Sequence, residues 1–217
     1  MSCLLPLPSN VLLDGPEGAI HYHADCVPAA QADAWFATLH ATVPWASERR
    51  RMYDRDVDVP RLTAGFVLGA ALDPAAVADD RRCDDAAKQI LAQAAAVAAR
   101  LTYCAFTSVG LNLYRDGNDS VAPHNDKLHS IETGAPIALL SLGATRRMTI
   151  TSKAAPRRRM NLDLEPGSLL VMSYATQLHF DHGIPKSRTP VGPRISLAFR
   201  RRPPAASTRP LSSATNR

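Results

Sequence analysis

Long apolar runs are missing from this sequence. No stretch of 18 uncharged apolar residues occurs, which excludes a membrane-spanning helix. Aromatic residues are scarce, at 6%, so any core has to be built mainly from aliphatic side chains. Cysteine is rare. Cys3, Cys26, Cys83 and Cys104 include no pair at the close spacing of a zinc knuckle or a redox couple. Four reduced thiols in a cytoplasmic protein are the expectation. The opening MSCLLPLPSNVLLDGPEG has no basic segment before its short apolar stretch and is broken by prolines, so it does not read as a secretory signal. A strong excess of one charge is also lacking. The formal +5 is a mild lean toward polyanionic partners and no more. Arginine greatly outnumbers lysine, which a GC-rich genome explains as readily as phosphate binding does.

What is present suffices for one domain. At 217 residues the chain can bury a full core without disulfides or structural metal. Ala19 to Tyr22 reads as a short strand after an irregular lead-in over 1–18. From Pro28 to Thr42, Ala32, Trp35, Phe36 and Leu39 recur at helical intervals, continued by Val43. The charge-dense WASERRRMYDRDVDV over 45–59 reads as an exposed loop, and VPRLTAGFVL after it as a strand. Asp84 to Leu101 is alanine-rich with Ile90, Ala94, Val97 and Leu101 on one face, a second helix. Beyond 105, short apolar runs alternate with turn signals. They are Ser108–Tyr114, Pro136–Leu142, Arg147–Ser152, Asn161–Leu164, Ser168–Ser173, Gln177–His182 and Pro193–Arg200. The expected fold is α+β: a double-stranded β-helix, or jelly roll, over 105–202, with an extension over 1–104 whose helices support it. The proline- and serine-rich 203–217 is expected to be a disordered tail.

His124-Asn125-Asp126 places an imidazole and a carboxylate on the same side of an extended chain. His182 lies at the end of a later predicted strand. Two histidines and one carboxylate form the facial triad of non-haem Fe(II) oxygenases, which leaves coordination positions open for substrates. His-x-Asp alone is a weak signal; surface polar residues beside a turn would produce it as well. A second pattern adds weight. Arg194-Ile195-Ser196-Leu197-Ala198-Phe199-Arg200 alternates strictly. Ile195, Leu197 and Phe199 face a core, so Arg194, Ser196, Ala198 and Arg200 share the other face. An inward arginine needs an anion, and its planar fork suits a carboxylate. An edge strand with its arginines in water is the alternative.

Asn112-Leu113-Tyr114-Arg115-Asp116-Gly117, Asp119, His124-x-Asp126, His182-Gly183-Ile184-Pro185 and Pro193-Arg194 through Arg200 follow one another as in the AlkB family. Val59-Pro60-Arg61-Leu62-Thr63-Ala64 also resembles the stretch ahead of that family's core. The likeness runs from about residue 59 to 202. The family comprises Fe(II)- and 2-oxoglutarate-dependent dioxygenases that demethylate nucleobases, releasing formaldehyde, succinate and CO2. The resemblance implies Fe(II) held by His124, Asp126 and His182, with 2-oxoglutarate and O2 as cosubstrates. His179 is the competing ligand, but only His182 is followed by Gly-Ile. Arg194 resembles the arginine near the metal-end carboxylate of the cosubstrate, and Arg200 the one at its distal carboxylate. Asn112 and Tyr114 resemble its other contacts, and Ser196 stands where the family's bacterial enzyme has asparagine.

The implied partner is alkylated DNA or RNA, bound by a monomer. Arg61 and its neighbours Arg49, Arg50, Arg51 and Arg55, and the loop cluster Arg157, Arg158 and Arg159, are candidates to hold phosphates, or are plain solvated surface. Trp45 and Tyr53 are candidates to stack on a base, with a core role for Trp45 as the alternative. Lys127 and Leu128 follow the metal-binding aspartate, where the family commonly carries acidic residues that read the base. That departure favours a second reading, an oxygenase acting on a protein or small molecule. A silent nucleic-acid-binding module is a third, disfavoured by the intact ligands and arginines.

Overall fold

The computed structural model describes residues 10–52, 55–69 and 83–203. Two antiparallel strands open it, β1 (Asn10–Gly15) and β2 (Gly18–His23). They are joined by Pro16-Glu17 in a two-residue turn, with Gly18 at φ +124°. A side chain at Gly18 would meet Thr176 and Ser173 closer than 3 Å. This hairpin corrects the irregular lead-in expected over 1–18 from residue 10 onward; residues 1–9 lie outside the described residues.

Helix α1 (Ala29–Thr42) follows, burying Ala32, Trp35 and Leu39. Then come β3 (Ala46–Met52) and β4 (Arg55–Val67). The loop expected over 45–59 is therefore a hairpin. Its register sets Arg49 opposite Asp58 and Arg51 opposite Asp56. A strand dense in charged residues at a sheet edge discourages further pairing. Charge density argued for a loop, but the ladder of β4 on β5 (Ser108–Tyr114) over Leu62–Val67 carries the sheet outward to β3.

Helix α2 (Asp85–Thr102) starts on Asp84, whose carboxylate accepts from the Ala86 N–H at 2.7 Å, satisfying a free helix-end donor. It buries Ala87, Ile90, Leu91, Ala94 and Ala98. The remaining elements are β5 (Ser108–Tyr114), β6 (Val121–His124), a 3-10 turn at Leu128–Ser130, β7 (Ile137–Gly143), β8 (Arg146–Ser152), β9 (Arg159–Leu164), β10 (Leu169–Met172), α3 (Tyr174–His179), β11 (Phe180–Ile184) and β12 (Arg194–Arg200). The strand expected over Gln177–His182 is thus split. The Ser173 hydroxyl accepts from the Ala19 and Thr176 N–H groups, which starts a short helix and docks it on β2.

The strands form two sheets: β1-β2-β10-β7-β12-β5-β4-β3, and β6-β11-β8-β9. This is the expected jelly roll. The segment before residue 105 supports the core with two helices and also lengthens its larger sheet by four strands. Both α1 and α2 pack on β7. Strands β7 and β12 are consequently buried on both faces, with Ile137, Leu140, Leu142, Ile195, Leu197 and Phe199 all at 0% exposure. Each such side chain contributes about 1.5–3 kcal/mol by leaving water. Among the described residues no helix is long and apolar enough to cross a membrane.

Candidate metal centre and anion site

The smaller sheet brings two distant histidines together. His124 ends β6, His182 lies in β11, and the two are direct cross-strand partners. Their ring centroids are 4.6 Å apart. Gly183 makes the approach possible, since a Cβ there would sit 2.8 Å from the Val121 carbonyl oxygen. Asp126 follows two residues after His124, and ligand atoms of His124, Asp126 and His182 all lie within 4.8 Å of one another. His124 Nδ1 is 2.9 Å from the Ala122 carbonyl. A carbonyl can only accept, so this nitrogen carries the proton and Nε2 is left with its lone pair. Burial, then the charge of His124, pushes His182 down to about 4. It is therefore neutral at physiological pH, the state in which an imidazole binds metal. His179, the competing candidate, is exposed at the end of α3.

The larger sheet supplies the cations. Arg200 grips Asp126 with two hydrogen bonds, Nε to Oδ2 at 2.8 Å and Nη2 to Oδ1 at 2.9 Å. This bond crosses between the sheets. Arg194, six residues earlier on the same strand, is 1% exposed. One Nη donates to Ser141 Oγ at 2.8 Å, while Nε and the other Nη are buried without a partner among the described residues. Its guanidinium lies 5.4 Å from the centre of the Tyr114 ring. Burial pushes Arg194 down to about 10, so it is still a cation at neutral pH. A buried cation with two unsatisfied donors is costly, and an anion bound beside it removes that cost. The order expected for the two arginines is reversed. Arg200 sits at the metal-ligand end, because its fork closes on Asp126, and Arg194 lies away from it.

Register carries the neighbours with them. Tyr114 pairs with Arg194 and Asn112 with Ser196 across β5 and β12, so these four share a sheet face. Arg61, expected to hold phosphate, turns inward instead and donates from Nε to Asn112 Oδ1 at 2.7 Å. Trp45 takes the alternative left open for it. Its ring packs against the core and its indole N–H donates to the His40 carbonyl at 3.2 Å, so it is not an open stacking platform. Tyr53 lies outside the described residues. Lys127 is exposed. Leu128 is half-buried and lines an open pocket of about 400 Å³ with His129, Ile131, Glu132, Thr133, Tyr174 and Pro203. Glu132 is paired with Arg201 at 2.6 Å. In the second arginine cluster, Arg158 is tied to Glu17 and lies over Phe180, while Arg157 and Arg159 are exposed.

Three residues were missed in the sequence. Ser141 holds Arg194. Gln177 accepts a hydrogen bond from the Asp126 N–H at 3.0 Å. Buried Arg146 donates to the carbonyls of Asp116, Asp119 and Pro185. Only Arg146 carried a usable signal, its alternation with Met148 and Ile150 on one strand face. The donor set fits Fe(II), since two imidazoles and a carboxylate leave positions open for exchangeable ligands. The unsatisfied Arg194 donors fit a carboxylate ligand.

A profile of the 2OG-Fe(II) oxygenase superfamily matches residues 19–200. DNA oxidative demethylase ALKBH2 of Homo sapiens is 36% identical over 103 residues, covering 44% of this chain and 40% of the relative. Alpha-ketoglutarate-dependent dioxygenase alkB homolog 3 of Homo sapiens is 38% identical over 103 residues, 44% of this chain and 36% of the relative. The chain thus spans well under half the length of these relatives. DNA oxidative demethylase ALKBH2 of Arabidopsis thaliana is 28% identical over 222 residues, covering 89% of this chain and 69% of that protein. Among solved structures, OsALKBH1 superposes with a TM-score of 0.53 at 14% identity, covering 84% of this chain and 97% of that one. A Pseudomonas putida prolyl-4-hydroxylase superposes at 0.51 and 14%, covering 85% and 93%. These two share the fold.

Proposed function

Because this chain belongs to the 2OG-Fe(II) oxygenase superfamily and is similar over part of its length to AlkB-type dioxygenases, we propose that it oxidatively demethylates N-alkylated bases of DNA or RNA. The superfamily works with Fe(II), 2-oxoglutarate and O2. The observation that carries the reading is the convergence of His124, Asp126 and His182, gripped at Asp126 by Arg200, whose strand also presents the unsatisfied Arg194 guanidinium.

In this reading His124 Nε2, an Asp126 oxygen and His182 hold Fe(II). Arg200 keeps the Asp126 carboxylate aimed. Arg194, flanked by Tyr114 and Ser141, binds the distal carboxylate of 2-oxoglutarate, and Asn112 and Ser196 line the path between the two ends. The Arg61 bond takes the Asn112 carbonyl, which leaves the Asn112 amide N–H groups to donate. Bound Fe(II) would supply the oxidation chemistry by which O2 and 2-oxoglutarate give succinate and CO2, the N-methyl carbon leaves as formaldehyde, and the ring nitrogen of 1-methyladenine or 3-methylcytosine is left with its lone pair and a proton is released. The pocket beside Leu128 and Tyr174 offers an apolar wall for a flipped-out base. Extracting a base from a duplex costs a few kcal/mol, which favours single strands and poorly paired methylated bases. The exposed Arg157 and Arg159 support backbone contact.

The test uses purified protein with Fe(II), ascorbate and 2-oxoglutarate on single-stranded DNA carrying 1-methyladenine or 3-methylcytosine. Mass spectrometry should read loss of the methyl group, dependent on 2-oxoglutarate. Succinate with the methyl group intact would instead favour a protein or small-molecule substrate. That second reading is supported by Lys127-Leu128 after Asp126 and by the engagement of Glu132 with Arg201, which leaves no free carboxylate at these positions to read a base.

A further inference from the structure

We infer that Gln177 on α3 is a positioning residue for the metal centre, acting through the backbone of Asp126 and held in place by Lys153. Gln177 is 1% exposed, although it lies on a short helix at the margin of the smaller sheet. Its side-chain oxygen accepts from the Asp126 N–H at 3.0 Å. The orientation of the amide is determined, because the opposite flip would set an NH2 group against an N–H donor. On its other side the amide nitrogen faces Met172 Sδ at 3.9 Å, a weak acceptor.

Lys153 closes the arrangement. Its Nζ donates to the Gln177 carbonyl at 2.8 Å and to Asn125 Oδ1 at 3.2 Å, and it pairs with Asp181 Oδ1 at 3.7 Å. Asn125 lies between His124 and Asp126, and Asp181 immediately precedes His182. One ammonium group therefore ties the neighbours of all three ligands, and Gln177 sets the backbone from which the Asp126 carboxylate is launched. Arg200 aims the far end of that side chain; Gln177 fixes its near end. Groups that orient metal ligands without touching the metal commonly govern affinity.

The test reads metal binding to the full chain, without nucleic acid or 2-oxoglutarate: calorimetric titration with Mn(II), and the visible spectrum of the Co(II)-loaded protein as a signature of ligand geometry. His182→Ala, which deletes a ligand, sets the scale of complete loss. Gln177→Leu should weaken Mn(II) binding about 10–100-fold and change the Co(II) spectrum. Gln177→Glu, which keeps an acceptor oxygen, should restore binding to within about threefold of wild type. Wild-type affinity and spectrum in Gln177→Leu overturn the inference, and so does a Gln177→Glu variant as weak as the leucine one. Should Gln177→Leu fail to fold by circular dichroism, Lys153→Met decides. Affinity about threefold weaker or more supports the clamp, and unchanged affinity overturns it. The inference rests only on the metal-site part of the reading above. A wild-type protein that binds Mn(II) but leaves methylated DNA untouched would sink the demethylase reading and leave this one standing.

Discussion

His179 and His182 are three positions apart and have opposite fates. His182 is buried against His124 in β11; His179 is exposed on the last turn of α3. His182→Ala should abolish Fe(II)-dependent succinate formation, and His179→Ala should keep most of it. Residual turnover in the first variant would mean that another ligand completes the centre. The two arginines separate in the same way. Arg194→Leu should weaken 2-oxoglutarate binding about 10–100-fold, the worth of charge-assisted hydrogen bonds to a carboxylate, with Mn(II) affinity unchanged by calorimetry. An equal loss of both would place Arg194 at the metal end. The alternation Arg194-x-Ser196-x-Ala198-x-Arg200 was legible as a shared face. Which arginine meets Asp126 was not, because that depends on how the second sheet is set against the first. The inward turn of Arg61 onto Asn112 was hidden for a related reason: a lone arginine in a sequence looks the same whether its partner is phosphate or an amide.

Elements show where sequence reading reaches and where it stops. Two of the three described α-helices were legible, α1 from its apolar spacing and α2 from its alanine-rich face. The second half of β4 was legible from VPRLTAGFVL, which buries Val59 and Phe66; β3 and the start of β4 were not, since their sequence is dense in charge and offers no apolar alternation. Helix α3 was hidden because Gln177-Leu178-His179 reads as a strand until Ser173 caps it. Turns between elements are the next point of stress. Gly143, at φ +81°, ends β7 opposite Arg194, and a Cβ there would lie 2.5 Å from the Pro193 carbonyl oxygen. Gly143→Ala should cost about 2 kcal/mol or more, read as a lowered denaturation midpoint, with loss of 2-oxoglutarate affinity as Arg194 shifts. The loop after β5 depends on Asp119, whose carboxylate accepts from the Arg115 backbone and guanidinium. Burial pushes that carboxyl up, but the hydrogen bonds and charge of Arg115, with Arg146, outweigh it and hold it below its usual range. Its stabilisation is therefore complete above the unfolded value near 3.9 and drains away as pH falls through the lower folded value. Asp119→Asn should lose about 1–2 kcal/mol at pH 7, and denaturant melts should show the gap to wild type narrowing below about pH 4. A gap independent of pH would assign the loss to shape rather than charge.

At the scale of the whole molecule, the metal ligands join segments that are remote in the chain and belong to different strands of the smaller sheet. Any ion bound there is bound by the folded state alone. At a hundredfold excess over its dissociation constant it should add about 2.7 kcal/mol. For a chain of this length that raises the thermal midpoint by about 5–10 °C. Differential scanning fluorimetry with Mn(II), and again with chelator, should show the shift, and His182→Ala should erase it. The cross-strand pairing of His124 with His182 has a wider consequence. A β-ladder that slipped by one residue would turn His182 to the other face of β11 and leave Asp126 without its companions. Metal occupancy is thus a report on register. Of all the compact states the chain passes through during synthesis, only the one with β6 and β11 in correct alignment can retain an ion. A population sorted by whether it retains the ion in solution would be sorted by how its smaller sheet was zipped.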